Sequence, residues 1–250
     1  MLPAILNYDQ KFFDGKKWIF IPSERGERRA VQVLKFFERS VTFPDYFYHY
    51  KSGGHVAALH DHLQHDFFFR IDIQNFFYSI ARNRVQRALA SKGLKGAPTY
   101  AKWSTVRSPY DGGPRYVLPI GFRQSPHIAS LVLMQSPVFD AIERARANGV
   151  LVSVYLDDII GSHADQAVLT TAYEDIRQSC VDGNLVPNAQ KLVPPSAAIT
   201  AFNCDLSKGA VNVTPARIAK FFETPHDAHA TDAFAAYVTR VARANEAPAG

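Results

Sequence analysis

The stretch LVSVYLDDIIGSH, residues 151–163, constrains the fold more than any other part of the chain. A mostly apolar run from Leu151 to Leu156 leads into two adjacent carboxylates, Asp157 and Asp158, and Ile159-Ile160-Gly161 leads out. Apolar and β-branched residues on both sides of a polar pair spell a tight hairpin with two acids at its tip. Acids so placed need a reason, because an unpaired carboxylate beside a packed sheet is costly. One reason is a divalent cation. Paired carboxylates on rigid strands suit Mg²⁺, which takes oxygen ligands and keeps waters and substrate phosphates. Ordinary turn chemistry accounts for Asp-Asp equally well in this segment alone, so the rest of the chain must decide.

A third acid stands in a second strand-like segment. In FFFRIDI, residues 67–73, alternation sends Phe67, Phe69, Ile71 and Ile73 to one face and Phe68, Arg70 and Asp72 to the other. Arg70 is the one cationic neighbour that Asp72 has within the strand. If this strand pairs beside the hairpin, Asp72 lies about 5 Å, one strand spacing, from Asp157 or Asp158. Three carboxylates could then hold two Mg²⁺ ions about 4 Å apart, the arrangement used for in-line phosphoryl transfer.

Charge points the same way. The net charge of the 250-residue chain is +5, but residues 1–110 carry +8 and residues 111–250 carry −3. A basic half beside a slightly acidic half suits a polyanionic partner against the first part, although a solvated basic surface has the same composition. No apolar run approaches the roughly 20 residues of a membrane span. The start, MLPAILNYDQKFF, lacks the pattern of a signal peptide. Cys180 and Cys204 are the only cysteines, which suits a cytoplasmic protein with both thiols reduced.

Along the chain, residues 16–22 read as a strand, SERGERR (23–29) as a polar turn, and AVQVLKFFERSV as a helix. A helix is expected to run through His65, and another from about Ser79. The Gly/Pro-rich, basic residues 93–114 read as a loop, and LPIGFRQSP turns at Gly121 into helical periodicity. Residues 165–182 read as an amphipathic helix, 199–206 and 209–213 as two short strands, and the chain after Thr214 as one or two helices starting at Pro215. His60, His62 and His65 are spaced i, i+2, i+5, which does not put all three on one helix face, so a helix end near nucleic acid is preferred over a zinc site. Trp18 and Trp103 read as packing residues. The order of elements implies an α+β fold with a mostly antiparallel sheet.

FFFRIDIQNFFYSI, LPIGFRQSPHIASLVL and VSVYLDDIIGS resemble, in order and spacing, three central motifs of reverse transcriptases, with YLDD as the YxDD signature. LVPNAQK resembles the following motif and AFNCDLS the primer-grip hairpin. WIFIPSERGERRAV resembles the fingers strand-turn-strand, and YHYKSGGHVAALHDHL the segment before the first catalytic strand. The resemblance covers about residues 15–222 and is nearest to bacterial enzymes of the retron-like and abortive-infection, defence-associated groups. Two departures stand out. The Val-Thr-Gly motif of retron thumbs is absent. Ile120 stands where the family often has glutamine, which removes a polar contact to the incoming nucleotide and favours the divergent defence-type groups.

The resemblance implies a right-hand polymerase: fingers in 1–66 and 82–118, palm in 67–81 and 119–213, and the start of a short thumb in 214–250. Asp72 and Asp157 are then the primary ligands of two Mg²⁺ ions (or Mn²⁺), with the Ile73 carbonyl completing one shell. Asp158, turned away by alternation, is an outer or weaker ligand. Lys191 matches the lysine that protonates pyrophosphate. Phe77 matches the aromatic that excludes a 2′-hydroxyl. Gly121 and Gln124 lie where template and nucleotide pack, Arg123 could reach phosphate, and one of Arg25, Arg28 and Arg29 is expected on the triphosphate. Phe202, Asn203 and Cys204 match the primer grip. The implied activity is RNA-directed DNA synthesis from dNTPs, in prokaryotic antiviral defence. The implied partners are an RNA template, a DNA or RNA primer, a dedicated non-coding RNA, and a protein partner or second copy offsetting the short thumb. Two other readings stand beside it: a nucleic-acid-binding scaffold with weak or lost catalysis, and a template-independent or protein-primed DNA polymerase on the same palm.

Overall fold

A computed structural model describes residues 7–245. The chain opens with strands β1 (Tyr8–Phe13) and β2 (Trp18–Pro22), followed by helix α1 (Glu24–Ser40) and, after an aromatic stretch, α2 (Gly54–Asp61). Strand β3 (Phe67–Asp72) leads to α3 (Phe76–Ser79), α4 (Arg82–Ser91), α5 (Ala97–Trp103) and the short strands β4 (Val106–Arg107) and β5 (Tyr116–Val117). Helices α6 (Ser125–Leu133) and α7 (Pro137–Ala147) precede the hairpin β6 (Leu151–Tyr155) and β7 (Asp158–His163), then α8 (Gln166–Asp182). The last part comprises β8 (Val193–Ser196), β9 (Ala198–Ala201), β10 (Cys204–Ser207), β11 (Ala210–Val213), α9 (Pro215–Phe222) and α10 (Ala228–Ala242). The chain divides into two compact units, one of residues 1–44, 73–139 and 179–186, the other of 45–72, 140–178 and 187–250.

The second unit holds a four-stranded antiparallel sheet in the order β6-β7-β3-β8. The expected hairpin is there, and β3 pairs along the whole of β7, from Phe67↔His163 to Asp72↔Asp158. Both faces are covered: Phe68, Phe69, Ile71, Ile159 and Ile160 are buried. Phe68 and Ile160 join Val56, Leu59 and Leu63 with Ile199, Leu206, Val211 and Val241 in one core cluster. Gly161 is required by this packing, because a Cβ there would overlap the Phe69 ring. Helix α2 belongs to the same compact unit as the sheet. A three-stranded sheet, β11-β10-β9, has α10 against its outer strand.

In the first unit β1, which the sequence did not signal, pairs with β2, the strand expected over 16–22. The segment SERGERR is not a turn but the start of α1, so the expected strand-turn-strand does not form. Ser23 caps the helix by accepting from the Gly26 N–H at 3.1 Å, and Glu24 and Glu27 occupy the electropositive first turn. The expected loop 93–114 contains a helix, started by Gly96 at φ +78° and Pro98 in the first turn. Helix α2 stops at Asp61, short of His65. The 199–206 segment breaks into β9 and β10 at Phe202-Asn203. Helix α8 and the Thr214-capped α9 match expectation.

Candidate active site

The acidic end of the sheet lies wholly within the second unit. Strand residues directly opposite in an antiparallel pair share a face, so Asp72↔Asp158 places these two carboxyls side by side. Asp157 precedes Asp158 in the turn, where Leu156 takes φ +57°. The Leu156 N–H donates to His49 Nδ1 at 3.3 Å, and Tyr155 packs against His49, His55 and Phe202.

Each of the two paired acids meets a cation. Arg70 donates Nε to Asp158 Oδ1 at 2.7 Å, with Nη2 2.6 Å from the same oxygen. Arg70 lies on the same strand face and is 3.9 Å from Asp72, so its principal partner is Asp158. Asp72 is buried and accepts from Lys191 Nζ at 2.8 Å and Asn188 Nδ2 at 2.9 Å, while its carbonyl accepts from the Asn188 N–H. Burial pushes the Asp158 carboxyl up to about 6; Arg70 opposes this, and Asp157 and Asp72 add to it. The structure thus brings together Asp72, Asp158 and Lys191 at one end of the sheet, with Asp157 in the adjoining turn.

The donor set suits a hard cation. Its oxygens come from carboxylates, and two positively charged side chains already sit against them. Among the described residues no three His, Cys, Asp or Glu side chains form a ready metal cage. Mg²⁺ does not need one, since one or two carboxylates with waters and substrate phosphates hold it. Lys191 Nζ would have to leave Asp72 Oδ2 for that oxygen to serve as a ligand.

The remaining sequence-derived candidates have other surroundings. In the second unit, Phe202 and Asn203 form the β9–β10 turn with φ +53° and +59°. Cys204 is buried behind it, its sulfur 3.6 Å from the Tyr237 hydroxyl. In the first unit, Ile73 follows Asp72 in the chain and is fully buried. Phe77 is half-buried beside the core residue Phe76. Gly121 has φ +106°, and its close backbone neighbour is Phe20, whose N–H donates to the Ile120 carbonyl at 3.0 Å. Ile120 packs against the apolar cluster of Phe20, Tyr78, Val117 and Phe122, where a glutamine amide would be stranded. Gln124 is an interior residue, 1% exposed, donating to Ser104 Oγ at 3.3 Å, which corrects the expectation of an open contact surface there. Arg25 lies over the Trp103 ring, Arg28 pairs with Glu24, and Arg29 donates to Gln32 at 2.9 Å. All three are on α1 rather than on a turn. Arg123 is 3.7 Å from Glu27.

The three histidines are explained by packing. His62 is fully buried, with Nδ1 2.6 Å from Ser162 Oγ and Nε2 2.9 Å from Ser153 Oγ. His65 Nδ1 is 2.6 Å from the same Ser162 hydroxyl, and His60 donates to the Val241 carbonyl. They fasten the end of α2 to the sheet and α10, which replaces the expected helix end near nucleic acid. Sequence reasoning missed the roles of Arg70 toward Asp158 and of Asn188 toward Asp72. Arg70 was visible through alternation; Asn188 carried no local signal beyond its place in LVPNAQK.

An antiparallel sheet that sets a buried aspartate beside an acidic hairpin is the arrangement of the reverse-transcriptase-like fold. Residues 27–194, more than half of the chain, match the profile of the family described as reverse transcriptase (RNA-dependent DNA polymerase), and the chain belongs to that family. No curated protein matches the chain. Similar solved structures include a foamy viral protease-reverse transcriptase in complex with double-stranded DNA, at 15% identity and TM-score 0.49, covering 87% of this chain and 32% of that one. Another is telomerase from Candida albicans in complex with a fragment of telomeric RNA, at 8% identity and TM-score 0.47, covering 76% of this chain and 37% of that one. The chain spans about a third of the length of these structures. No described helix is long and apolar enough to cross a membrane, and Cys180 and Cys204 are both buried and free.

Proposed function

We propose that the protein is an RNA-directed DNA polymerase that adds deoxynucleotides to a primer on an RNA template. The observation that carries this reading is the register Asp72↔Asp158 at the hairpin end, with Lys191 on Asp72, in a chain of the reverse transcriptase family.

In this reading Asp72 and Asp157 hold two Mg²⁺ ions, or Mn²⁺, with the Ile73 carbonyl and Asp158 in lesser roles. When bound, the ions supply an activated primer hydroxyl and a stabilised leaving group. The 3′-hydroxyl gives up its proton to solvent, its oxygen forms a bond to the α-phosphorus, the α–β anhydride bond breaks, and pyrophosphate departs. Lys191, which now donates to Asp72 Oδ2, gives the departing pyrophosphate its proton. A general acid of this kind is worth about 10²–10⁴-fold. Arg70 fixes Asp158 and so keeps the hairpin end in register with β3. Phe77 selects the deoxyribose, and the Phe202–Asn203 turn with Cys204 behind it steadies the primer. Fingers in 1–66 and 82–118, palm in 67–81 and 119–213 and a thumb beginning at 214 remain the working division. One of Arg25, Arg28 and Arg29 serves the triphosphate, which requires it to leave its present neighbour.

The finer assignment is a bacterial, defence-associated enzyme of the cytoplasm, working with a dedicated non-coding RNA and with a protein partner or a second copy. It is supported by the DIQNFFYSI form of the first motif and by Ile120. The test is to incubate the purified protein with each labelled dNTP and Mg²⁺, with and without co-purified RNA, and to sequence the product. DNA complementary to the RNA is expected. Product of random sequence would favour the template-independent reading, and no product under any condition the scaffold.

A further inference from the structure

Between Asp72 and Asp111 the chain has seven basic residues and no acidic one. Three of the seven, Arg82, Arg84 and Arg87, fall on α4. Arg82 has local partners: it lies 3.7 Å from the Tyr116 ring centre and donates Nε to Thr105 Oγ1 at 2.7 Å. The other two are Arg84 and Arg87. Separated by three positions, they share a helix face. With Ala88, Val132 and Gln135 they line a cavity of about 70 Å³ beside α6. Neither guanidinium has a hydrogen-bond or ion-pair partner among the described residues.

Such a pair carries a cost. Each guanidinium carries five donors, Arg84 is half-buried, and like charges at this spacing repel. Burial and then the Arg87 charge hold Arg84 below the usual arginine range. Gln135 turns its amide nitrogen to Ser91 Oγ at 2.6 Å, and no hydrogen bond joins its Oε1 to either guanidinium among the described residues. A bound anion relieves both costs at once. The cavity has room for about two waters, which is enough to seat one tetrahedral oxyanion. Arginine forks match phosphate oxygens in geometry as well as charge.

We propose that Arg84 and Arg87 form a phosphate-binding site that grips one backbone phosphate of a nucleic acid. It shares no residue with the carboxylate site. The anion site stands on its own geometry; the choice of a nucleic-acid backbone as the source of the phosphate rests on the template-and-primer reading above.

The test is fluorescence anisotropy with a short fluorescein-labelled RNA–DNA hybrid duplex, in EDTA and without dNTPs, titrated across salt concentrations. The proteins are the wild type, Arg84→Gln, Arg87→Gln and Arg84→Glu. Each glutamine variant is expected to bind roughly fivefold more weakly, and to lower the slope of log K against log salt by about 0.7–0.9. Arg84→Glu is expected to bind more weakly still while melting at a higher temperature, because its carboxylate meets Arg87 across one turn. Stability and binding therefore move in opposite directions. Unchanged affinity and slope in all three variants would overturn the proposal. So would a lower melting temperature accompanying lost binding in Arg84→Glu, which would mark a packing role. A parallel arm measures melting with inorganic phosphate or dATP. Stabilisation that depends on Arg84 while duplex affinity does not would assign the site to free phosphate and overturn the backbone assignment. Because no metal is present in any arm and no dNTP in the binding arm, these results do not depend on whether the enzyme polymerises.

Discussion

Arg70→Met tests how the acidic end of the sheet is held. Both side chains of the Arg70–Asp158 pair are 14% exposed, and the guanidinium contacts Asp158 Oδ1 through two nitrogens and the Thr200 carbonyl through a third. Methionine keeps the apolar stem and removes the charge. The Asp158 carboxylate is then buried beside Asp157 and Asp72 without its counterion. Removing one partner of a buried pair costs about 3–5 kcal/mol. For a chain of this size each kcal/mol lowers Tm by about 2–4 °C, so a fall of about 10 °C is expected. Asp158→Asn in the same background removes the stranded charge. The double variant should therefore be more stable than Arg70→Met alone, with a coupling of about 2 kcal/mol. Thermal melting followed by circular dichroism measures all four proteins. A loss below about 1 kcal/mol, with no coupling to Asp158→Asn, is the behaviour of an exposed pair and would refute the reasoning.

Gly161→Ala should destabilise by about 1–3 kcal/mol, because its methyl enters the Phe69 ring; adding Phe69→Leu should recover part of the loss in urea unfolding. His62 is held neutral by burial, its pKa lowered to about 3, with His65 adding to the shift and His163 and Asp66 acting on His65. The unfolded chain binds that proton more readily, so this contribution is intact above about pH 6.5 and is lost as pH falls toward 3. By pH 5 the loss is about 2 kcal/mol, and His62→Gln should flatten the pH dependence of Tm over that window. Phe77→Val should relax sugar selection, read as ribonucleotide incorporation in a primer-extension assay; unchanged discrimination would remove Phe77 from that role.

Much of the four-stranded sheet was legible because its signals are local. Period-two alternation marked β3, and the apolar runs around Asp157-Asp158 marked the hairpin. One strand spacing then put Asp72 beside the pair. The partners of the acids were less visible: Lys191 and Asn188 meet Asp72 from 119 and 116 positions away, and no local pattern encodes such contacts. Strand β8, VPPS, carries two prolines that argue against a strand, and is tolerated because it lies at the sheet edge. Helix α1 was hidden by Gly26 and a cluster of arginines. Its Ser23 cap and acidic first turn outweigh the poor propensity of Gly26, which is needed because a Cβ would come within 2.5 Å of the Asn7 carbonyl oxygen. Gln124 could not be recognised as interior from its motif, since Ser104 reaches it from a helix end that the sequence had assigned to a loop.

The central claim is that Asp72 and Asp157 form one nucleotidyl-transfer centre. Its most direct measurement is incorporation of labelled dNTP onto a primed RNA template, with and without Mg²⁺, by the wild type, Asp72→Ala and Asp157→Ala. Metal-dependent extension by the wild type, and none by either variant with the fold intact by circular dichroism, is the expected result. Extension by Asp157→Ala at the wild-type rate would contradict the account.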